Sequence, residues 1–106
     1  MAAGNTFEYR VSDSLVVPLR GQLLRLRLTR GNPQASSVAV GRRLTVAAPD
    51  GREREVQILD HSITGGRVSQ ARLDKTRELD ILLATADADI DGQAIGIGWT
   101  VRGSRE

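Results

Sequence analysis

Apolar and polar positions alternate along most of the chain. In Gln22–Arg30, Leu24, Leu26 and Leu28 fall on one side and Arg25 and Arg27 on the other, which is the two-residue period of a half-buried strand. The same period runs through Leu44 and Val46 and returns through Val56 and Ile58, with Pro49-Asp50-Gly51 between them. Proline pre-sets a turn and the following Asp-Gly closes it, so this piece predicts a hairpin. Towards the C-terminal end, Ile95, Ile97, Trp99 and Val101 alternate with Gly96, Gly98, Thr100 and Arg102. That pattern predicts a strand with one face almost bare of side chains, where another backbone approaches closely. Phe7–Val11, Val38–Val40, Arg67–Ala71 and Leu79–Thr85 are shorter strand candidates bounded by turn formers. Ser69–Leu83 contains many helix formers, but Leu79, Ile81 and Leu83 alternate and no apolar face at helical spacing persists upstream, so it reads as strand.

Six to eight short strands with evenly spaced turns predict an all-β domain. The expected form is a small closed or nearly closed antiparallel barrel, because closure removes exposed strand edges. An oligonucleotide-binding-type barrel is the alternative. The expected core is Leu24, Leu26, Leu28, Leu44, Val46, Val56, Ile58, Leu79, Ile81, Leu83, Ile95, Ile97, Trp99 and Val101. Residues 7–102 form the single predicted domain, with residues 1–6 and 103–106 as flexible ends.

The chain has 106 residues, enough for one hydrophobic core and too few for a second lobe. Its 40% hydrophobic and 26% charged content is that of an ordinary globular domain and not of a disordered or coiled-coil chain. The net charge of +2 is unremarkable in size, but it is unevenly spread: residues 1–54 carry nine arginines against four acids, and residues 55–106 carry six basic residues against nine acids. Such a basic half suits a polyanion, and equally suits attraction between the two halves of one small domain. There is no cysteine, which excludes disulfides, thiolate metal sites and a cysteine nucleophile. No apolar run reaches the ~18 residues of a membrane span, and Met1–Thr6 lacks a basic region followed by an apolar stretch. The expected location is the cytoplasm.

Laid out in order, the strands resemble the second domain of translational GTPases, the elongation-factor-Tu-like β-barrel. The resemblance runs from Phe7 to about Val101. Arg20-Gly21-Gln-Leu-Leu-Arg-Leu26 is similar to that family's arginine-glycine turn into a long strand, and Val38-Ala-Val-Gly41-Arg-Arg-Leu-Thr-Val46 to its glycine step into an alternating strand. Arg54–Leu59, Gly65-Gly66-Arg-Val-Ser-Gln-Ala71, Glu78–Leu83 and Ile90-Asp-Gly92-Gln-Ala-Ile95 follow as an outgoing strand, a glycine turn, a further strand and a closing turn. Arg42 departs from the acidic residue common in that position, and Thr76-Arg77 from a glycine and a polar residue. The resemblance implies a barrel that supports tRNA or ribosome contacts. It does not carry over the GTPase: no Gly-x-x-x-x-Gly-Lys-Ser/Thr loop is present, and no nucleotide is expected.

Three constellations bear on chemistry. Asp87-Ala-Asp89-Ile-Asp91-Gly92 spaces carboxylates as a calcium loop does, but its twelfth position is Gly98 instead of a bidentate glutamate, and Asp91-Gly92 also reads as a β-turn. Asp60-His61-Ser62 sets three catalytic residue types side by side, yet successive strand residues point to opposite faces and do not converge. His61 is the single histidine, so a histidine-rich metal site is excluded. Arg20, Arg25, Arg27, Arg30, Arg42 and Arg43 form a candidate basic strip for phosphate contact, although one Phe, one Tyr and one Trp leave few rings on which bases could stack. The expected function is a non-enzymatic interaction module without cofactor, docking a protein partner or, alternatively, contacting RNA through the strip.

Overall fold

The computed structural model describes residues 6–61 and 69–104. Strands occupy 52% and helices 15% of the described residues, and every strand pairing among them is antiparallel. The elements are β1 (Thr6–Val17), β2 (Gly21–Arg30), a 3-10 turn (Ala35–Val38), β3 (Arg43–Ala47), β4 (Glu53–Gln57), helix α1 (Gln70–Thr76), β5 (Glu78–Leu83), a second 3-10 turn (Thr85–Asp87), β6 (Asp89–Ile90), β7 (Gln93–Ala94) and β8 (Thr100–Ser104). Six strands form one strongly curled sheet, in the order β4-β3-β8-β1-β2-β5, and β6 and β7 form a small hairpin.

The alternating leucines of β2 set the inside of the curl. Leu24, Leu26 and Leu28 are buried with Phe7, Tyr9 and Val11 of β1, Leu44 and Val46 of β3, Leu79, Ile81 and Leu83 of β5, and Val101 of β8. Phe7 and Tyr9 meet edge to face at 5.9 Å, an arrangement that places a ring's positive edge on its neighbour's negative face. The Asp50-Gly51 hairpin forms as expected: Ala47 faces Glu53 in register, Gly51 takes φ 94, and the Asp50 carboxylate accepts from the Arg52 amide at 3.1 Å.

Four expectations are corrected. The Ile95–Val101 segment is not one strand, because Trp99 N–H turns back to the Gly96 carbonyl at 3.2 Å and Gly98 lies at φ 91. Alternation therefore fails inside the turn, and Ile97, expected in the core, is 70% exposed. Val38–Val40 is also not a strand: it follows a 3-10 turn closed by Ser37 N–H on the Gln34 carbonyl, with Val38 buried and Val40 exposed. Ser69–Leu83 splits into α1 and β5. Ser69 caps α1 by accepting from the Arg72 amide at 3.2 Å, and Arg77 ends it in the left-handed region at φ 56. Helix α1 buries only Leu73, too little to leave a periodic signature. The predicted strand Arg67–Ala71 falls partly outside the described residues, and its described part is the cap and first turn of α1.

The β1–β8 ladder reaches towards both chain ends. Thr6 pairs with Ser104 and Phe7 with Gly103, so β8 runs into residues expected to be flexible. At the opposite seam, the chain beyond β4 turns across to β5. Leu59 N–H donates to the Leu82 carbonyl at 2.9 Å and Leu82 N–H to the Asp60 carbonyl at 2.8 Å, joining the two edges of the sheet at one point.

Candidate interaction surface

The outward positions of the sheet carry the charge. Because facing residues of antiparallel strands share a side, the pairing register fixes which side chains meet. Thr45 of β3 faces Arg102 of β8, which faces Glu8 of β1, which faces Arg30 of β2. One row along, Thr100 faces Arg10, Arg10 faces Arg27, and Arg27 faces Glu78.

The expected basic strip is divided by this topology. Arg25, Arg27 and Arg30 lie on β2, whereas Arg43 opens β3 and Arg42 precedes it, with β8 and β1 between the two strands. Several of these arginines are met by the chain's own acids. Arg25 holds Asp80 with two nitrogens, Nε to Oδ1 at 3.1 Å and Nη2 to Oδ2 at 3.4 Å. Arg43 Nη1 lies 3.1 Å from Glu55 Oε1, and Arg20 Nη2, in the turn after β1, lies 4.0 Å from Asp60 Oδ2. Arg27 and Arg30 make no ion pair among the described residues. Nor does Arg10, which stands opposite Arg27. Sequence reasoning missed Arg10: alternation in Phe7–Val11 marks it as outward, but only the β1–β2 register shows which residue it faces.

The aspartate loop is occupied from within. Arg54 Nη2 lies 3.3 Å from Asp87 Oδ1, and Arg54 Nη1 lies 2.9 Å from the Asp89 carbonyl and 3.5 Å from Asp89 Oδ1. Arg52 Nη1 reaches Asp91 Oδ2 at 3.5 Å, while its Nε holds Asp50 at 2.8 Å and keeps that carboxyl below the usual carboxylate range. Amides take other oxygens: Gln57 N–H donates to Asp87 Oδ2 and Gly92 N–H to Asp89 Oδ2. The three carboxylates thus face guanidinium and amide donors, and no group of three His, Cys, Asp or Glu among the described residues could hold a metal ion.

At Asp60-His61 the side chains diverge. His61 Nε2–H donates to the Val38 carbonyl at 2.6 Å, whereas Asp60 accepts from the His61 backbone amide at 2.7 Å and faces Arg20. Ser62 lies outside the described residues, as does the Gly65-Gly66 turn. A hollow of about 160 Å³ beside α1, lined by Leu28, Asn32, Pro33, Leu73, Asp74 and Arg77, is smaller than the roughly 300–1,000 Å³ of small-molecule sites.

An aliphatic part of the surface lies at the β1–β2 turn, beside Arg20. Leu15 is 54% exposed, Val16 68% and Leu19 fully so. Leu15 continues outward-face pairing to half-buried Leu23, and the next residue in that row, Leu82 of β5, is buried. The Ile97 segment lies beside the same half of β1: Gly98 N–H donates to the Val11 carbonyl and Ser14 Oγ–H to the Ile95 carbonyl. All three aromatic rings are inside, with Phe7 and Tyr9 1% exposed and Trp99 4%. No helix among the described residues is long and apolar enough to cross a membrane. No protein-family model matches the chain, and no curated protein is significantly similar to it.

Proposed function

We propose that the chain is a non-enzymatic interaction module, a translation-factor-like β-barrel that docks a protein partner. The observation that carries this reading is the aliphatic end of the β1–β2 hairpin, where Leu15, Val16 and Leu19 stand in water. Covering apolar surface is favourable by roughly 25 cal/mol per Å², and a protein partner supplies such cover where a polyphosphate does not. The antiparallel order and the Leu59–Leu82 seam support a nearly closed barrel. The divergence of Asp60 and His61 supports a role without catalysis.

RNA contact is the competing reading, and two observations weigh against it. Bases have no exposed ring to stack on, and Arg25, Arg43 and Arg20 already face carboxylates. The test is capture from native lysate by the wild type and by the Leu15→Ser/Leu19→Ser variant, with and without nuclease. A specific polypeptide should survive nuclease and be lost from the variant. Loss on nuclease treatment would transfer the function to RNA.

A further inference from the structure

The outward arginines of the sheet divide into those that meet an acid and those that do not, and Arg30, which makes no ion pair among the described residues, at least faces Glu8 in register. Arg25 meets Asp80, Arg43 meets Glu55 and Arg102 meets Glu53 at 2.6 Å. Arg10 and Arg27 instead face each other across β1 and β2, both exposed, and neither makes an ion pair among the described residues. Directly opposed side chains have Cβ atoms about 5 Å apart, and like charges in that position are destabilising. Thr100, on the other side of Arg10 in the same row, adds a half-buried hydroxyl that makes no hydrogen bond among the described residues. Two guanidiniums and a hydroxyl in one cross-strand row, with the Glu78 carboxylate at its β5 end, present a cluster of donors in a geometry that suits the two oxygens of a carboxylate.

We propose that the Arg10–Arg27–Thr100 row is a subsite for an acidic side chain of a protein partner. This rests on the docking reading above and specifies the chemistry of the partner. The same outward face of β1 and β2 turns aliphatic at Leu15 and Leu23. Four residues of β2 separate Arg27 from Leu23, or about 13 Å at the usual rise of a strand. The intervening row offers no free positive charge, since Arg25 is held by Asp80 and also faces Asp13 in register. A partner segment that fits this face carries a carboxylate at one end and an aliphatic anchor about 13 Å away. A phosphate chain fits poorly, because Glu8 stands two residues before Arg10 on the same face and Glu78 faces Arg27, so a continuous polyanion meets carboxylates on both sides of the row.

The test is a titration of the isotope-labelled full chain, followed by NMR, with three probes. The first is an extended peptide with two glutamates four positions from two leucines. The second is the same peptide with lysines for the glutamates, and the third is an oligouridylate of equal negative charge. The acidic peptide should shift the Arg10, Arg27 and Thr100 amides and the two Nε–H signals. Arg10→Gln/Arg27→Gln should weaken its binding roughly three- to tenfold, the range expected of two exposed charge pairs, whereas Arg72→Gln/Lys75→Gln on α1 should not. The melting midpoint of Arg10→Gln/Arg27→Gln should equal or exceed that of the wild type, because a repulsive pair is removed; a large drop would make the pair structural and overturn the proposal. Equal binding of the lysine peptide, tighter binding of oligouridylate to the same row, or wild-type affinity of the double variant would each overturn it too. If Leu15→Ser/Leu19→Ser abolishes partner capture and the arginine variant does not, the docking reading stands and the acidic subsite alone falls.

Discussion

Gly103 and Tyr9 show how single positions tie the ends of this chain to its core. A Cβ on Gly103 would lie 2.6 Å from Leu44 Cδ2 and 2.7 Å from Phe7 Cζ, so the glycine admits both side chains beneath β8. In the sequence it looks like a fraying terminus, because a glycine required for close packing is indistinguishable there from one marking a flexible end. Tyr9 is buried in the same core, and burial pushes its phenol from 10.0 up to about 12, with the charge of Arg77 pulling the other way. Burial favours the neutral phenol in the folded state, so this contribution to stability is complete below pH 10. It is lost as the pH rises from 10 towards 12, where the unfolded chain binds fewer protons than the folded one. Phenolate absorbance of the native protein should therefore titrate near 12. Alkaline unfolding should begin above pH 10, with a shallower slope in Tyr9→Phe.

Helix α1 depends little on burial and much on polar stitching. It offers the core only Leu73, and Gln70 fastens it by accepting from the Ala35 amide at 2.8 Å and donating to the Pro33 carbonyl at 3.2 Å. A helix of two turns is marginal by itself, so its capping serine carries a large share of its local stability. Ser69→Ala should cost about 1 kcal/mol, seen as loss of helical carbon shifts across Gln70–Thr76 with the β2 amides unmoved. The helix was hidden in the sequence for the same reason it is weak: one buried residue sets no period. The β2 leucines and the Asp-Gly hairpin were legible because burial repeats every second residue and because glycine's positive φ is chemically demanded. The aspartate loop was only partly legible. Its spacing read as a β-turn or a calcium loop, but Arg52 just before β4 and Arg54 on it, more than thirty residues away in sequence, supply the counter-charges, and no local pattern reports such a contact.

For the whole molecule, the decisive quantity is how firmly the curled sheet holds its two edges together. The β1–β2 ladder has nine residue pairs in register, whereas the seam between the β4 side and β5 rests on the Leu59 and Leu82 amides. Opening the seam breaks these two hydrogen bonds, each worth about 1 kcal/mol net, while opening β1 from β2 exposes the core of aliphatic and aromatic side chains. The candidate surface is affected unequally. Arg10 and Arg27 sit on the ladder, while Leu15 and Leu23 lead in register to buried Leu82, on the seam itself. Docking at that row should therefore tighten the seam, because the bound state requires Leu82 in place. Native-state hydrogen exchange measures this directly: the Leu59 and Leu82 amides should exchange through a local opening well below the global unfolding free energy, and Leu26 and Val101 only through the latter. Leu59→Pro, which removes one of the two donors, should speed Leu82 exchange roughly five- to tenfold, as loss of about 1 kcal/mol implies, and leave Leu26 unchanged. If all four amides exchange together in the wild type, the seam is part of one cooperative closed barrel and the aliphatic row is rigid before any partner arrives.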